Sequence, residues 1–278
     1  MNPMIRKELR QRMRERRSWI LPSIYIGVLG AVVAMAYFFT LSESPWQRGG
    51  DIQGAQIGVT VFITVVFAQL SLLLLLAPVF SAGSLTIEKE QRTLPMLLTS
   101  LLSPADIWYG KFVSALLFLT LLLVSALPVL SLAFSLGGVG PAEVVRATAM
   151  TLLVLASISA LGLYFSSIFR RSVHSTAVTY AAVIALTAIT FIIFTMMESH
   201  WQTKQAQITR PAGVSAPEIP RYYSIPLYLN PFYAVASALM HTRHKFPDWL
   251  ICTLVFLFLG LAAAFLAFRN IRRRGESG

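Results

Sequence analysis

Cysteine is almost missing from this chain, charge is scarce, and no internal repeat or low-complexity tract occurs. The single cysteine in 278 residues, Cys252, falls in a long apolar run, so no intramolecular disulfide can form. Asp, Glu, Lys and Arg supply 13% of the residues and apolar types 56%, too little charge for a soluble globule of ordinary usage. A phosphate-cradling loop is also missing: beside Gly110-Lys111, Ala105 stands where GxxxxGK[ST] requires glycine, and Phe112 where it requires Ser or Thr. The formal charge of +11 is not gathered on a polar module, as nucleic-acid binding requires.

What remains is a set of long apolar runs. A bilayer core needs roughly 20 helical residues to cross it, and six runs qualify: Trp19–Leu41, Ile57–Ala82, Phe112–Leu136, Val144–Phe169, Val173–Met197 and Trp249–Phe268. Apart from Arg146, near the start of the fourth, their interiors carry no charge, which matters because a central charge costs about 2.5–3.5 kcal/mol. The first run imitates a signal peptide, with Ala-Met-Ala at 34–36 as a mock cleavage site. It exceeds the roughly 7–15 apolar residues of a signal, and its charged leader is long. The expected class is therefore an all-α polytopic membrane protein, a single transmembrane domain over 1–278.

Six crossings put both termini on one side, and the cations select it. With the N-terminus inside, sixteen of the 23 Lys and Arg lie on the cytoplasmic side against six acids, and seven against six acids outside. Residues 1–18 place Ile5, Leu9 and Met13 on one face among cations, as in a helix lying in the inner interface on anionic lipid, although a solvated tail fits too. With no ionisable side chain deep in a span, ion-coupled transport has little to act through.

The largest cytoplasmic loop, 83–111, is built rather than slack. Glu88, Lys89, Glu90 and Arg92 end the second span at the water boundary. Thr93 caps a short helix with Pro95 in its first turn and a stripe of Leu94, Leu97, Leu98 and Leu101. Ser103-Pro104-Ala105-Asp106 starts the next helix. The leucine face has two outlets on physical grounds, lipid or the groove of a soluble partner.

"TIEKEQRTLPMLLTSLLSPADIWYGK", residues 86–111, resembles the loop between the second and third spans of type-2 ATP-binding-cassette permeases. "NPMIRKELRQRMRERRSW" at the start, "LNPFYA" at 229–234 and the six-span layout are similar to that family as well. Two residues depart from the usual pattern: Arg92 stands where Gly is common, and Pro95 where an acid is frequent. The resemblance implies a permease, an exporter, in a bacterial or archaeal cytoplasmic membrane. It implies two copies of a separate ATPase that bind ATP and Mg, and a second permease copy forming a homodimer or related heterodimer. It also implies a coupling role for Glu88, Glu90, Arg92, Thr93, Leu94, Leu97, Leu98, Leu101 and Pro104, with Lys111 facing headgroups or the partner. No catalytic residue, metal or nucleic acid is expected of this chain. A membrane scaffold or an intramembrane enzyme is the alternative.

Pro78 and Pro128 are expected bend points. The external segment 198–248 is long for a loop and is expected to fold. There Asn230 caps, Pro231 opens and Phe232 continues a helix whose Ala234, Val235, Ala238 and Leu239 share one face, while residues 209–226 form an extended cover with Tyr222 and Tyr223 at the interface. His241 and His244 could share a metal with His200, but an i, i+3 pair without carboxylates or thiols reads as plain loop histidines. Gln69, Ser71, Thr187 and Thr190 either line a path or bond between helices.

Overall fold

The computed structural model describes residues 17–42, 52–92, 104–135, 139–206, 221–239 and 247–276, and every regular element among them is helical. Helix α1 (Arg17–Ser42) is the first span, α2 (Ile52–Ser81) the second, and α3 (Thr86–Glu90) a short helix behind it. The third span is α4 (Pro104–Ser125) with α5 (Leu127–Ser135), and the fourth is α6 (Pro141–Ile168). The fifth is α7 (Ser172–Ile184), a π-helical turn (Ala185–Ile189) and α8 (Thr190–Ala206). A 3₁₀ helix (Arg221–Leu229) and α9 (Pro231–Leu239) precede α10 (Asp248–Glu276), the sixth span. Six of these stretches are long and apolar enough to cross a bilayer, where lipid leaves backbone groups no partner outside a helix or a closed barrel. Residues 1–16 of the leader 1–18 expected to lie in the interface, and 93–103, where the leucine stripe is expected, lie outside the described residues.

Both prolines expected at bend points lie close to a helix break, and one stretch departs from the sequence reading. The third span is broken at Ala126: Pro128 has no N–H to give the preceding turn, and the amides of Val129 and Leu130 both bond the Ala126 carbonyl at 3.0 Å. Pro78 lies inside α2 and is followed by the helix end three residues later, at Ser81. Residues 221–226, expected extended, open the 3₁₀ helix instead.

The fourth span is the hub. It packs against α2, α4, α7, α9 and α10, and its buried face includes Met150, Thr151, Val154, Ser157, Ile158, Gly162 and Ser166. Small residues belong there because lipid tails are as apolar as leucine, so helices associate through close packing and hydrogen bonds. Ser157 donates to the Phe256 carbonyl of α10 at 2.7 Å, next to Gly260, where an added Cβ would stand 3.4 Å from the Ser157 Cα. The first span is peripheral: Tyr25 and Leu29 are buried, while Ile24, Met35, Phe38 and Phe39 are exposed.

Gly162 sets the approach of the second span to the fourth. A Cβ on it would stand 2.9 Å from the Ser81 Cβ and 3.2 Å from the Ala82 amide nitrogen. Overpacking of this kind costs about 1–3 kcal/mol. Gly162→Ala is therefore expected to lower the unfolding midpoint in detergent, and Ser81→Gly added to it is expected to recover part of the loss.

Candidate functional site

At the end of the bundle where the second, fourth and sixth spans finish, here the base, the chain carries successive charges Glu88, Lys89 and Glu90. Each of the three is fastened to a different span. The Lys111 Nζ of α4 donates to Glu88 Oε1 at 2.7 Å, with Lys111 only 2% exposed and Glu88 18%. Lys111, expected to face headgroups or a partner, thus lies buried against the second span's extension.

Lys89 reaches the far end of α6, where its Nζ donates to the carbonyls of Ser166, Ser167 and Phe169 at 2.5, 2.8 and 2.9 Å. These acceptors belong to the last turn of a helix, which has no amides left to satisfy them, and the cation also meets the negative end of the helix dipole. Glu90 does the converse at the start of α7, where Glu90 Oε1 accepts the Ser172 backbone N–H at 2.6 Å and the Ser172 hydroxyl at 3.0 Å. The Ser172 amide, then its hydroxyl, hold the Glu90 carboxyl below the usual carboxylate range, and Arg171 adds to this. A depressed carboxylate keeps its bonds above that range and loses them as pH falls through its folded value, so this fastening is intact at neutral pH.

The backbone joins in. Leu85 precedes α3 and has no capping side chain, so Ser166 of the fourth span caps from outside: its Oγ accepts the amides of Leu85 and Thr86, both at 3.0 Å. Leu85, Ile107 and Ile271 form a small separate core with Trp108 against it, and Trp108 stacks on Phe112 with centroids 4.9 Å apart. Asn270 of the sixth span donates to Ser167 Oγ at 3.3 Å. Arg92, just past α3, holds a φ of 56°, the left-handed region that glycine enters without steric cost. Pro104 opens α4, whereas Thr93, Leu94, Leu97, Leu98 and Leu101 lie outside the described residues.

A second polar joint sits in the other half of the bundle. Asn230 is 4% exposed. Its Oδ1 accepts the amides of Phe232 and Tyr233 at 2.9 and 3.4 Å, capping α9 behind Pro231. Its Nδ2 donates to the Thr187 carbonyl and to Thr190 Oγ1, both at 3.0 Å. Thr187 belongs to the π turn, where the hydrogen-bond ladder is re-registered, so Asn230 bonds a carbonyl at that irregularity and ties the fifth span to α9. Of the polar residues that could line a path, Thr187 and Thr190 prove to be bonded between elements, Gln69 is buried in the second span, and Ser71 is exposed, donating to its own helix. His200 is exposed, His241 and His244 lie outside the described residues, and no group of three metal-ligating side chains occurs among the described residues.

Beside this joint opens a cavity of ≈ 660 Å³ between the second span, the fifth span, the 3₁₀ helix and α9. Spacing in the sequence could not find it, because its walls come from four separated segments.

The sequence profile of the family described as ABC-2 family transporter protein matches residues 3–272. No curated protein matches the chain.

The two joints give two expected outcomes. Removing one member of a buried ion pair costs about 3–5 kcal/mol because the other charge is stranded, so Lys111→Met should destabilise the chain by about that much in mixed-micelle unfolding. Lys111→Met combined with Glu88→Gln should cost less than Lys111→Met alone. Asn230→Asp keeps the cap acceptor and deletes the donor. Amide exchange should then quicken in Thr190–Ala206 while Pro231–Leu239 keeps its protection; equal quickening in both would reduce Asn230 to a cap.

Proposed function

We propose, from the premise that the chain belongs to the ABC-2 family of transporter proteins, that it is the membrane-embedded subunit of an ATP-driven exporter. The protein is a multi-pass membrane permease by family and by its six apolar helices. The finer reading places the base and both termini in the cytoplasm, in a bacterial or archaeal cytoplasmic membrane. The 93–103 loop enters a groove of a separate ATPase. Two permeases, identical or related, face each other over two such ATPases, which hold ATP and Mg.

The observation that carries this reading is the way the base is tied. The loop leaves α3 and returns in α4, and those two ends are joined by the Lys111–Glu88 pair. Lys89 joins the same short helix to the end of the fourth span and Glu90 joins it to the start of the fifth. A displacement applied to the loop is therefore delivered to the second, third, fourth and fifth spans together rather than absorbed by a slack connection. Leu94, Leu97, Leu98 and Leu101 supply the apolar plug, and Thr93 its cap. The ATPases perform the chemistry; their closure shifts the permease only by the difference in their affinity for its two states. Arg92 adds a fixed left-handed turn where the loop departs.

The test uses the full chain purified from its native membrane in mild detergent. A nucleotide-binding subunit is expected to copurify, and ATP hydrolysis by the complex is expected to fall to the level of the isolated ATPase in Leu97→Asp. A Leu97→Asp chain that still binds and stimulates the ATPase would overturn the docking role; a chain that never carries an ATPase would leave a scaffold.

A further inference from the structure

The cavity beside the fifth span has a chemistry that selects its guest, and the selection follows from accounting for its polar atoms. The ≈ 660 Å³ space lies within the range of pockets that bury a small molecule, about 300–1,000 Å³. Asn230 and Thr187 are the amide and hydroxyl in its wall, with Tyr233 contributing a phenol. None has a hydrogen to spare. Both Asn230 amide bonds go to Thr187 and Thr190, the Thr187 hydroxyl donates to the carbonyls of Val183 and Ile184 in its own helix, and the Tyr233 hydroxyl donates to Asp248 Oδ2. No lining residue is charged. A sugar, a peptide or an ionic amphiphile would enter at the cost of its own hydration and find no free donor there for its oxygens.

Hydrocarbon alone does not define a ligand here either. The cavity sits at membrane depth, between Phe67 in the second span and Thr187 to Phe194 in the fifth, and a guest arriving from lipid is already out of water, so apolar burial gives it no preference. What the walls offer beyond lipid is rings: Phe67, Phe191, Phe194, Phe232 and Tyr233. Phe67 and Phe232 already meet edge to face, with centroids 5.9 Å apart and planes at 82°. Ring quadrupoles reward an aromatic guest through offset or edge contacts that an acyl chain cannot make.

We infer that this cavity is a binding site for uncharged aromatic molecules dissolved in the membrane, selected over acyl chains by ring-to-ring contact with the fifth span and α9. The inference goes beyond the coupling reading and needs no ATPase to be tested; only the description of such a ligand as cargo depends on transport.

Benzophenone serves as both ligand and photolabel. The full chain is placed in nanodiscs of phosphatidylcholine and phosphatidylglycerol, titrated with benzophenone, irradiated and mapped by peptide mass spectrometry; phosphatidylcholine with a diazirine on its acyl chain is the parallel label. Labelling by benzophenone is expected to saturate within 187–194 and 231–236, and to be displaced by biphenyl but not by dodecane. The acyl label is expected to spread over the exposed faces of the first and sixth spans, such as Phe38 and Phe258. Phe191→Leu and Phe194→Leu keep the apolar surface and remove a ring, and each should weaken saturation about two- to tenfold. Non-saturating label, equal displacement by dodecane, or unchanged affinity in both variants overturns the inference. So does crosslinking of this face only to a second copy of the chain, which would make it a protein contact. Should either variant fail to fold, the displacement series on the unaltered chain decides.

Discussion

A lysine that is 2% exposed, held by a carboxylate 2.7 Å away, constrains most of what surrounds it. An ammonium removed from water needs a partner of opposite charge and its remaining hydrogens satisfied, and at the foot of the third span that partner is Glu88, from the chain that has just left the second. The second span ends at Ser81, the chain turns through residues 82–85, and α3 presents Glu88 to Lys111. That placement sends the flanking charges outward along the base, Lys89 to the carbonyl end of α6 and Glu90 to the amide end of α7. The signs match the poles they meet, a cation at a helix C-terminus and an anion at an N-terminus. An exchange of the two would set each charge against the wrong end of a dipole.

The fifth span depends on polar joints more than its neighbours do, because little of it is buried. Ile184, Ile189, Phe191, Ile192 and Met196 are exposed, and apolar contact with lipid orders no helix against another. It is held instead at Ser172 by Glu90, at Tyr180, whose hydroxyl donates to the Leu75 carbonyl at 2.6 Å, and at Thr187 and Thr190 by Asn230. The lower two attachments lead to the second span and its extension, the upper one to α9. The π turn lies between them, above Tyr180 and at the level of Asn230.

The spans were legible because a bilayer demands long uncharged runs, and nothing else in the chain supplies them. The cap at Asn230 and the start at Pro231 were legible for a local reason: an Asn-Pro pair before an apolar stripe has one economical conformation. The buried role of Lys111 was not. A lysine beside Gly110 at the edge of an apolar run looks like a loop residue until the fold brings Glu88 back to it across 23 positions. The π turn was not read from the sequence either: its five residues, Ala185–Ile189, hold no glycine, proline or charge that would mark it. Asn230's second role failed for the same reason as Lys111's, its partner lying 43 residues earlier. Arg92 is instructive in another way. Its departure from the glycine common in related loops was visible at once, and the backbone still takes the left-handed turn that glycine would favour, so the geometry is kept at a steric cost of order 1 kcal/mol.

A tightly bonded base and a sparsely bonded fifth span imply different mechanical roles. Where α3 is joined to the third, fourth and fifth spans by charge-assisted bonds, relative motion would break several of them at once, so that end moves as a unit. Farther along, the fifth span is bonded to α9 through the Asn230 amide, beside the irregular turn and the cavity, and its upper part packs against the 3₁₀ helix. On the proposed coupling, movement entering at the base would reach the fifth span between Tyr180 and Asn230, beside the space walled by Phe191, Phe194 and Phe232. Changing the size of that space would disturb its ring contacts and also the Asn230 bonds to Thr187 and Thr190, so the buried amide resists any shift of the fifth span against α9.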